Sequence, residues 1–284
     1  MKKIVILGKD SYIGEALYSW LSKDTEKFSV DIISTLNYKW KDFDFSEYDI
    51  AINLAGIAHI NKMTDDMKEL FFSINRDLTI EIGSYLKEHG IKYMLHFSSM
   101  NVYGDYCECV TSRLDVCPTS FYGESKLQGD IGLKQLEDEN FKVGYIRPPF
   151  VYGKGCKGNY NIISKIAKKL PVFPDYVNKK SMIYIDNLCE FVRLLVENED
   201  TGYFTPQNRE LVSTTELVRV IAKCNGRNIW FTRLFNWGIP IGKKIVSKVR
   251  KAFSNDCYSL ELSDYYNFEY CVVTFEESVR RTER

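Results

Sequence analysis

The amino-acid sequence predicts an α/β protein, with a doubly wound parallel sheet in the first half of the chain and a smaller C-terminal lobe after it. Three observations predict this fold. Short apolar strands alternate with helical periodicity up to about Phe150, a glycine turn directly follows the first strand, and small or polar residues end several later strands. With 284 residues, of which 45% are hydrophobic, the chain is long enough to bury a substantial core.

The first unit is a strand, a glycine turn and a helix. Residues 3–14 read KIVILGKDSYIG, and apolar residues recur at the spacing of one helical face from Ile13 to Leu21. Gly8 permits a tight turn, Gly14 lets the helix pack closely on the strand, and the helix N-terminus offers N–H groups to a pyrophosphate. Ser11 stands where the middle glycine of a dinucleotide-binding turn is expected, so the match is incomplete.

Three later strands end in residues suited to a ligand site. The strand Asp49–Leu54 runs into Ala-Gly, Tyr93–Phe97 runs into a serine pair that includes Ser99, and Val143–Ile146 leads into Arg-Pro-Pro, ending at Pro149. Open α/β sheets bind their ligands at the carboxyl ends of successive strands. The sheet is therefore expected to be of the Rossmann type, with a site along this edge.

Ser99, Tyr122 and Lys126 form the candidate catalytic set. The tyrosine and the lysine lie four residues apart in YGESK, so a helix would place the phenol and the ammonium on one face. A nearby cation favours the phenolate form of tyrosine, whose ordinary pKa is near ~10, and a serine hydroxyl can hold the reacting oxygen. Such a pair alone also occurs on solvated helices, and its position after a nucleotide-binding unit favours the catalytic interpretation.

Taken together, these motifs resemble the extended short-chain dehydrogenase/reductase family, in particular its NAD(P)-dependent nucleotide-sugar epimerases, dehydratases and reductases. The resemblance covers nearly the whole chain through GKDSYIG, NLAG, SSMNVYG, YGESK and RPPFVYGKG. It implies that Tyr122 is the acid/base at the sugar C4 oxygen, that Lys126 tunes it and binds the nicotinamide ribose, and that Ser99 holds the same oxygen. It also implies that Asn75 stabilises the catalytic loop. The dinucleotide site that it implies contains Gly8, Ser11, Tyr12, Ile13, Gly14, Leu54, Ala55, Gly56 and Pro149.

The end of the second strand bears on the cofactor. NAD-preferring relatives place an acidic residue there for the ribose 2′-hydroxyl, whereas this chain has Ser34. Ser34 and its neighbours can instead bind a 2′-phosphate, with charge from Lys39 or Lys41, so the cofactor is expected to be NAD or NADP. Asp31 is an alternative ribose ligand only if the strand ends three residues sooner.

Substrate residues are expected mainly beyond Gly153. A glycine- and lysine-rich loop leads to Asn159, and a later segment resembles one that usually opens with arginine but here opens with Lys180. Tyr103 is expected either near the sugar or as core packing, with equal weight. We expect residues 1–150 with about 179–202 to form the dinucleotide-binding domain, and 151–178 with 203–284 to form the substrate-binding lobe.

Composition excludes several function classes. Lys and Arg number 38 against 38 Asp and Glu, which argues against a nucleic-acid partner, and no apolar stretch approaches the ~18 residues of a membrane span. The eight cysteines are scattered without metal spacing, so no metal site is expected. The protein is expected to be cytoplasmic and to form a homodimer. Its expected substrate is a nucleotide sugar, most of all a UDP-sugar.

Two later segments carry explicit expectations. Lys243–Phe253 has the pattern of a basic amphipathic helix, for which membrane association is one hypothesis. A helix packed on the second lobe with a solvated basic face is preferred, so no membrane partner is expected. Tyr270–Val273 is expected to form a strand before a closing helix that begins at Glu276.

Three functions follow from these residues. The first is a nucleotide-sugar 4-epimerase that oxidises, turns and reduces the sugar at C4 with a retained cofactor. The alternative is an NADPH-dependent reductase of a nucleotide-linked 4-keto (6-deoxy) sugar, supported by Ser34. A non-catalytic nucleotide-sensing or scaffold protein of the same fold is the third, motivated by the missing glycine at Ser11.

Overall fold

The structure is a computed structural model that describes residues 1–58 and 65–284. The chain divides into two compact units. Unit 1 comprises Met1–Asp105, Arg113–Pro148 and Leu188–Pro206, and unit 2 comprises Tyr106–Ser112, Pro149–Asn187 and Gln207–Arg284.

Strands and helices alternate through the first half of the chain. The strands are β1 Lys2–Leu7, β2 Phe28–Ile33, β3 Ile50–Asn53, β4 Tyr93–Phe97, β5 Lys142–Ile146, β6 Phe150–Tyr152, β7 Val172–Pro174, β8 Met182–Tyr184, β9 Gly202–Phe204 and β10 Trp230–Thr232. The α-helices are α1 Tyr12–Leu21, α2 Asp65–Phe72, α3 Thr79–Glu88, α4 Phe121–Leu136, α5 Asn159–Lys169, α6 Ile185–Asn198, α7 Thr214–Cys224, α8 Ile239–Ile245, α9 Ser247–Phe253, α10 Leu260–Ser263 and α11 Phe275–Glu283. A π-helical segment, Ser73–Leu78, joins α2 to α3.

The main sheet of unit 1 has six parallel strands in the order β2-β1-β3-β4-β5-β9. This confirms the predicted doubly wound sheet. Leu7 of β1 is paired with Asn53 of β3, and Phe97 of β4 is paired with Ile146 of β5, so the carboxyl ends of these four central strands lie at one edge of the sheet. Unit 2 contains two small parallel pairs, β6 with β8 and β7 with β10.

The core of unit 1 lies on both faces of its sheet. Strands β3 and β4 are buried along their whole length, which is why they are apolar except for Asn53 and His96 and do not alternate with polar residues. Val5, Met94 and Val143 pack with Ile82 and Leu133 from the covering helices. Burying each such side chain stabilises the fold by about 1.5–3 kcal/mol, so the strand ends are held on a rigid platform.

Two expectations for the C-terminal part are wrong. Lys243–Phe253 is not one helix, because the backbone is extended at Val246, where two β-branched residues adjoin, and α8 and α9 form on either side. Tyr270–Val273 is not a strand. The Tyr270 hydroxyl donates to the carbonyl oxygens of Gln207 and Ser263, both at 2.8 Å, and these bonds anchor the segment without a strand partner. Among the residues described, no helix is both long enough and apolar enough to cross a bilayer.

Candidate active site

The turn between β1 and α1 is built around Ser11. Its hydroxyl accepts from the Gly14 N–H at 3.0 Å and donates to the Gly8 carbonyl at 2.6 Å, so it caps the first helical turn. A Cβ at Gly14 would overlap the Gly8 oxygen and lie 2.6 Å from the Ser11 Oγ. The serine at the position of the missing glycine therefore has a structural function, and Gly14 is needed for the close approach of helix and strand.

This turn fits the pyrophosphate of a dinucleotide. Tyr12 and Ile13 begin α1 and place backbone N–H groups at the positive end of the helix, where an anion is stabilised. The backbone of Gly8 also lies against Leu54, since a Cβ on the glycine would come within 2.8 Å of the Leu54 Cβ. The loops after β1 and β3 thus share one edge of the sheet, as a bound dinucleotide requires.

The loop after β3 lies next to Lys126, the candidate catalytic lysine. A Cβ on Gly56 would lie 2.7 Å from the Lys126 Nζ and 3.1 Å from the Asn75 Oδ1. Ala55 is buried, and its N–H donates to the Asn53 side chain at 2.9 Å. The residues expected to line the dinucleotide and the residue expected to bind its ribose are therefore direct neighbours.

Ser99 and Tyr122 meet at the start of α4. Ser99 follows β4 by two residues and accepts from the Asn101 N–H at 3.2 Å. The Ser99 hydroxyl donates to the Asn101 side-chain oxygen at 3.1 Å. Burial raises the pKa of Tyr122, and the Ser99 side chain opposes that rise. A Cβ at Gly123 would overlap the Asn101 carbonyl oxygen, so this glycine allows the helix to come close enough for the two hydroxyls to meet.

Lys126 is buried on the same face of α4. Its ammonium donates to the Phe97 carbonyl, the last of β4, at 3.0 Å. Burial lowers the pKa of Lys126 to about 8, and the negative charge of Asp130 opposes that change. Tyr122 and Lys126 are thus one turn apart on α4, and the lysine bonds the last carbonyl of β4, two residues before Ser99.

Asn75 ties the catalytic helix to the loop after β3. Its amide oxygen accepts from the Ile57 N–H at 2.9 Å, and its amide nitrogen donates to the Ile57 carbonyl and to the Ser125 hydroxyl, each at 3.1 Å. Asn75 lies in the π-helical segment, a conformation that is frequent at functional sites. These bonds support the expectation that it stabilises the catalytic loop.

A buried polar chain behind Lys126 was not anticipated from the sequence. Asp130 Oδ2 accepts from Ser98 at 3.0 Å and from two nitrogens of Arg147 at 2.9 and 3.2 Å. Asp130 Oδ1 lies 3.6 Å from His96 Nε2, and His96 Nδ1 lies 3.4 Å from the amide nitrogen of Asn53. Because the Asn53 oxygen already accepts from Ala55, its amide faces the ring as donor, which places the histidine proton on Nε2.

The electrostatics of this chain follow from its burial. Burial raises the pKa of Asp130, and Arg147, Ser98 and Lys126 oppose that rise. Burial lowers the pKa of His96 well below its ordinary value, and the positive charges of Lys126 and Arg147 lower it further. His96 is therefore neutral at physiological pH. The sequence signal that could have indicated Asp130 is its position four residues after Lys126, on the same face of α4.

The end of β2 agrees with the position expected for Ser34. The strand ends at Ile33, so Ser34 follows it directly, and its hydroxyl accepts from the Leu36 N–H at 3.3 Å. Asp31 lies inside the strand and accepts from the Tyr48 hydroxyl at 2.7 Å, which excludes the earlier strand end that its alternative role required. Lys41 forms an ion pair with Glu81, so Lys39 is the better candidate for a phosphate contact.

The Tyr103 hydroxyl is engaged within unit 1. It donates to the Arg113 carbonyl at 3.1 Å and accepts from Arg147 at 2.9 Å. This is the packing alternative considered from the sequence, and contact with a sugar stays a prediction.

The other expected ligand residues belong to unit 2. Pro149 is buried directly before β6, and Asn159 is the first residue of α5. The Lys180 ammonium donates to the Lys251 carbonyl at 3.2 Å, and burial lowers its pKa. The assignment of Pro149 to the cofactor, and of Asn159 and Lys180 to the substrate, stays a prediction.

Two curated relatives are similar to part of the chain. UDP-glucose 4-epimerase of Vibrio cholerae is 26% identical over 211 residues, which are 70% of this chain and 64% of that protein. N-acetyl-alpha-D-glucosaminyl-diphospho-ditrans,octacis-undecaprenol 4-epimerase of Escherichia coli O157:H7 is 28% identical over 139 residues, which are 47% of this chain and 42% of that protein. The chain therefore matches less than two thirds of the length of either relative.

The fold and the family model agree with these matches. The structure of UDP-glucuronic acid 4-epimerase from Bacillus cereus, in complex with UDP-glucuronic acid and NAD, superposes with a TM-score of 0.76 at 18% identity, over 99% of this chain and 98% of that one. The model of the NAD dependent epimerase/dehydratase family matches residues 4–204, which include the complete Ser, Tyr and Lys set. This agrees with the family expected from the sequence, whose description names NAD. The chain belongs to the NAD-dependent epimerase/dehydratase family.

Proposed function

We propose that this protein is an NAD(P)-dependent 4-epimerase of a nucleotide sugar, with a UDP-sugar as its substrate. The observation that carries the proposal is the junction of Ser99, Tyr122 and Lys126 beside the loop after β3. The Ser99 side chain opposes the rise in the pKa of Tyr122 that burial causes, and Lys126 Nζ lies next to Gly56. One proton-transferring group, one hydroxyl and one buried cation therefore surround the position where a sugar oxygen would react.

In the proposed reaction, the Tyr122 oxygen accepts the proton of the sugar C4 hydroxyl while C4 loses a hydride and becomes a ketone. Ser99 donates a hydrogen bond to the same sugar oxygen and holds it in place. The positive charge of Lys126 stabilises the phenolate form in which Tyr122 accepts this proton, and Tyr122 becomes a neutral phenol as it does so. For epimerisation, the 4-keto sugar turns over before hydride and proton return to its opposite face.

The cofactor supplies hydride acceptance and return when it is bound. The residues that would hold it are the N-terminus of α1 with Gly8 for the pyrophosphate, the residues Leu54 to Gly56 for the adenosine half, and Lys126 for the nicotinamide ribose. The Gly8–Leu54 and Gly56–Lys126 approaches leave no room for larger side chains at either glycine. These are the places where a cofactor needs access to backbone.

The substrate class is proposed from the relatives and from the charge of the loop after Gly153. Both curated relatives are named as 4-epimerases, and one of them acts on UDP-glucose. We propose Asn159 and Lys180 as ligands of the nucleotide diphosphate and Tyr103 as a sugar contact, each testable by substitution and KM.

A reductase of a nucleotide-linked 4-keto sugar is the second candidate. It is favoured by Ser34, because no carboxylate follows β2 and Asp31 is held inside the strand by Tyr48. The two candidates differ in cofactor handling. Denaturing the purified protein and identifying the released dinucleotide by mass spectrometry separates them, since near-stoichiometric NAD indicates an epimerase, whereas an empty protein that prefers NADPH to NADH indicates the reductase.

The test of the catalytic assignment is Tyr122→Phe, assayed on a panel of UDP-, GDP- and dTDP-sugars by product analysis. Loss of the transferring hydroxyl is expected to lower turnover by about 10²–10⁴-fold, with dinucleotide binding retained. Tyr18→Phe, a partly exposed tyrosine of α1, is the matched control and should turn over at the wild-type rate. Undiminished turnover by Tyr122→Phe would refute the mechanism, and no turnover by the wild type on any sugar would favour the scaffold alternative.

A further inference from the structure

Charge is distributed unevenly along a chain whose net charge is zero. Residues 217–255 contain nine cations and no Asp or Glu, although the whole sequence has 38 of each sign. The cations of this stretch are Arg219, Lys223, Arg227, Arg233, Lys243, Lys244, Lys248, Arg250 and Lys251. Such a local excess of one sign attracts a partner of the opposite sign.

The same stretch exposes large apolar side chains. Trp237, Ile241 and Ile245 follow one another at intervals of four residues, so they lie along one side of α8 and of the 3-10 turn Asn236–Gly238 that runs into it. They are 78%, 54% and 77% exposed, and Leu234, three residues before the tryptophan, is 67% exposed. We call these four residues, with the exposed Lys244 and Lys248, the apolar-cationic face.

The helix packs on unit 2 through its other side. Ile239 is buried, Gly242 approaches Val249 of α9, and the Lys243 ammonium donates to the Tyr176 hydroxyl at 3.0 Å. Contact with the core is therefore made by residues 239, 242 and 243, and the apolar-cationic face points away from it. This differs from the single packed helix expected over Lys243–Phe253, since Ile245 is 77% exposed.

Nearby carboxylates neutralise other cations. Asp175 lies 3.2 Å from Arg233 and 3.6 Å from Arg219, and Glu216 also pairs with Arg219. Lys244 precedes Ile245 of the stripe in α8, and Lys248 is the second residue of α9; both side chains are exposed. The nearby acidic groups are bound to arginines.

We propose that the apolar-cationic face binds the surface of an anionic lipid bilayer. A tryptophan with isoleucines suits shallow insertion at the boundary between head groups and acyl chains, and flanking lysines suit anionic head groups. A nucleic acid would match the charge but not the isoleucine stripe. A second copy bound through this face would bring the same lysines against each other, which opposes association.

The experiment is co-sedimentation of the full chain with phosphatidylcholine vesicles and with vesicles that contain roughly one third phosphatidylglycerol. Binding is expected only to the anionic vesicles, and it should weaken when NaCl is raised from about 0.1 M to 0.5 M. Lys244→Ser with Lys248→Ser should weaken binding by about 25-fold, since each lysine near an anionic surface contributes roughly a factor of five. Trp237→Ser/Ile241→Ser/Ile245→Ser should reduce it at least about 10-fold.

The matched control is Leu114→Ser/Ile162→Ser/Val272→Ser, which removes three exposed apolar residues elsewhere and should bind like the wild type. Circular dichroism and dinucleotide binding verify that each variant is folded.

The proposal would be overturned by an equal loss of vesicle binding in the control variant, by equal binding to neutral and anionic vesicles, or by no sedimentation with either. So would binding to an oligonucleotide but not to vesicles, or a dimer in size-exclusion chromatography that the stripe variant dissociates while vesicles stay unbound. None of these outcomes depends on turnover, so failure here is distinct from failure of the proposed epimerase activity.

Discussion

Gly123 lies where α4 closely approaches the Ser99 loop, and Gly123→Ala is expected to separate the proposed catalytic hydroxyls of Ser99 and Tyr122. The new Cβ would overlap the Asn101 carbonyl oxygen and lie 3.0 Å from its carbon and 3.2 Å from the Pro118 Cβ. Two backbone segments meet there, so neither can rotate away as a side chain can. The start of α4 must move from the Ser99 loop by on the order of 1 Å, a misplacement that can lower turnover about 10²-fold.

The fold should survive this change. Overpacking lowers the free energy of unfolding by about 1–3 kcal/mol, whereas the higher helix propensity of alanine relative to glycine raises it by roughly 1 kcal/mol. The free energy of unfolding, measured in urea, is therefore expected to fall by no more than about 2 kcal/mol. Dinucleotide binding should persist, because the cofactor residues on α1 are untouched.

Gly132→Ala in the same helix is the matched control. Its Cβ would overlap the Ile80 side chain of α3 and no atom of the Ser99 loop, so the fold pays a packing cost while turnover should stay within a few-fold of the wild type. The assay is kcat on whichever nucleotide sugar the wild-type protein converts. A folded Gly123→Ala protein with wild-type kcat would refute the view that this close approach sets the Ser99–Tyr122 geometry.

Two further predictions concern Lys126 and Ser11. The pKa of Lys126 is depressed to about 8, so its ammonium is charged below that pH, and kcat/KM should fall as pH rises through about 8. In Lys126→Arg, whose side chain stays charged, this fall of kcat/KM with pH should vanish. An unchanged fall would show that another group titrates there. The free energy of unfolding should change in the opposite direction and rise with pH. The buried charge costs stability below pH 8, and this cost is relieved between pH 8 and 10.5, where the folded protein has lost the proton and the unfolded chain still holds it. Ser11→Ala should lower the free energy of unfolding by about 1 kcal/mol through loss of the cap, whereas Ser11→Gly should cost only a few tenths. Equal stability of Ser11→Ala and the wild type in thermal melts would show that the hydroxyl does not cap α1.

Local sequence patterns were sufficient to predict the main sheet and to select Ser99, Tyr122 and Lys126 as candidate catalytic residues. Continuous apolar runs such as Tyr93–Phe97 identify buried parallel strands, because both faces of such a strand are covered. The four-residue spacing of Tyr122 and Lys126 needs only a helix to become a shared face. Both features depend on neighbours in sequence, which is why they could be predicted.

Residues that act through distant partners could not be assigned in this way. Asn53, His96 and Asp130 come from three separate elements, and their polar chain exists only because β3, β4 and α4 are adjacent. In the sequence, Ser11 only marks the place of a missing glycine, whereas in the folded turn its hydroxyl caps α1.

The sequence by itself determined the α/β class, the parallel sheet and the set of Ser99, Tyr122 and Lys126, since periodicity and spacing carry that information. Only the tertiary structure decided that Gly123 allows the hydroxyls to meet, that Asp31 is held within β2, and that α8 turns its apolar stripe outward. The physical reason is that burial, pKa and exposure depend on which chain segments come into contact. Long-range packing sets those contacts, and a linear pattern does not record them.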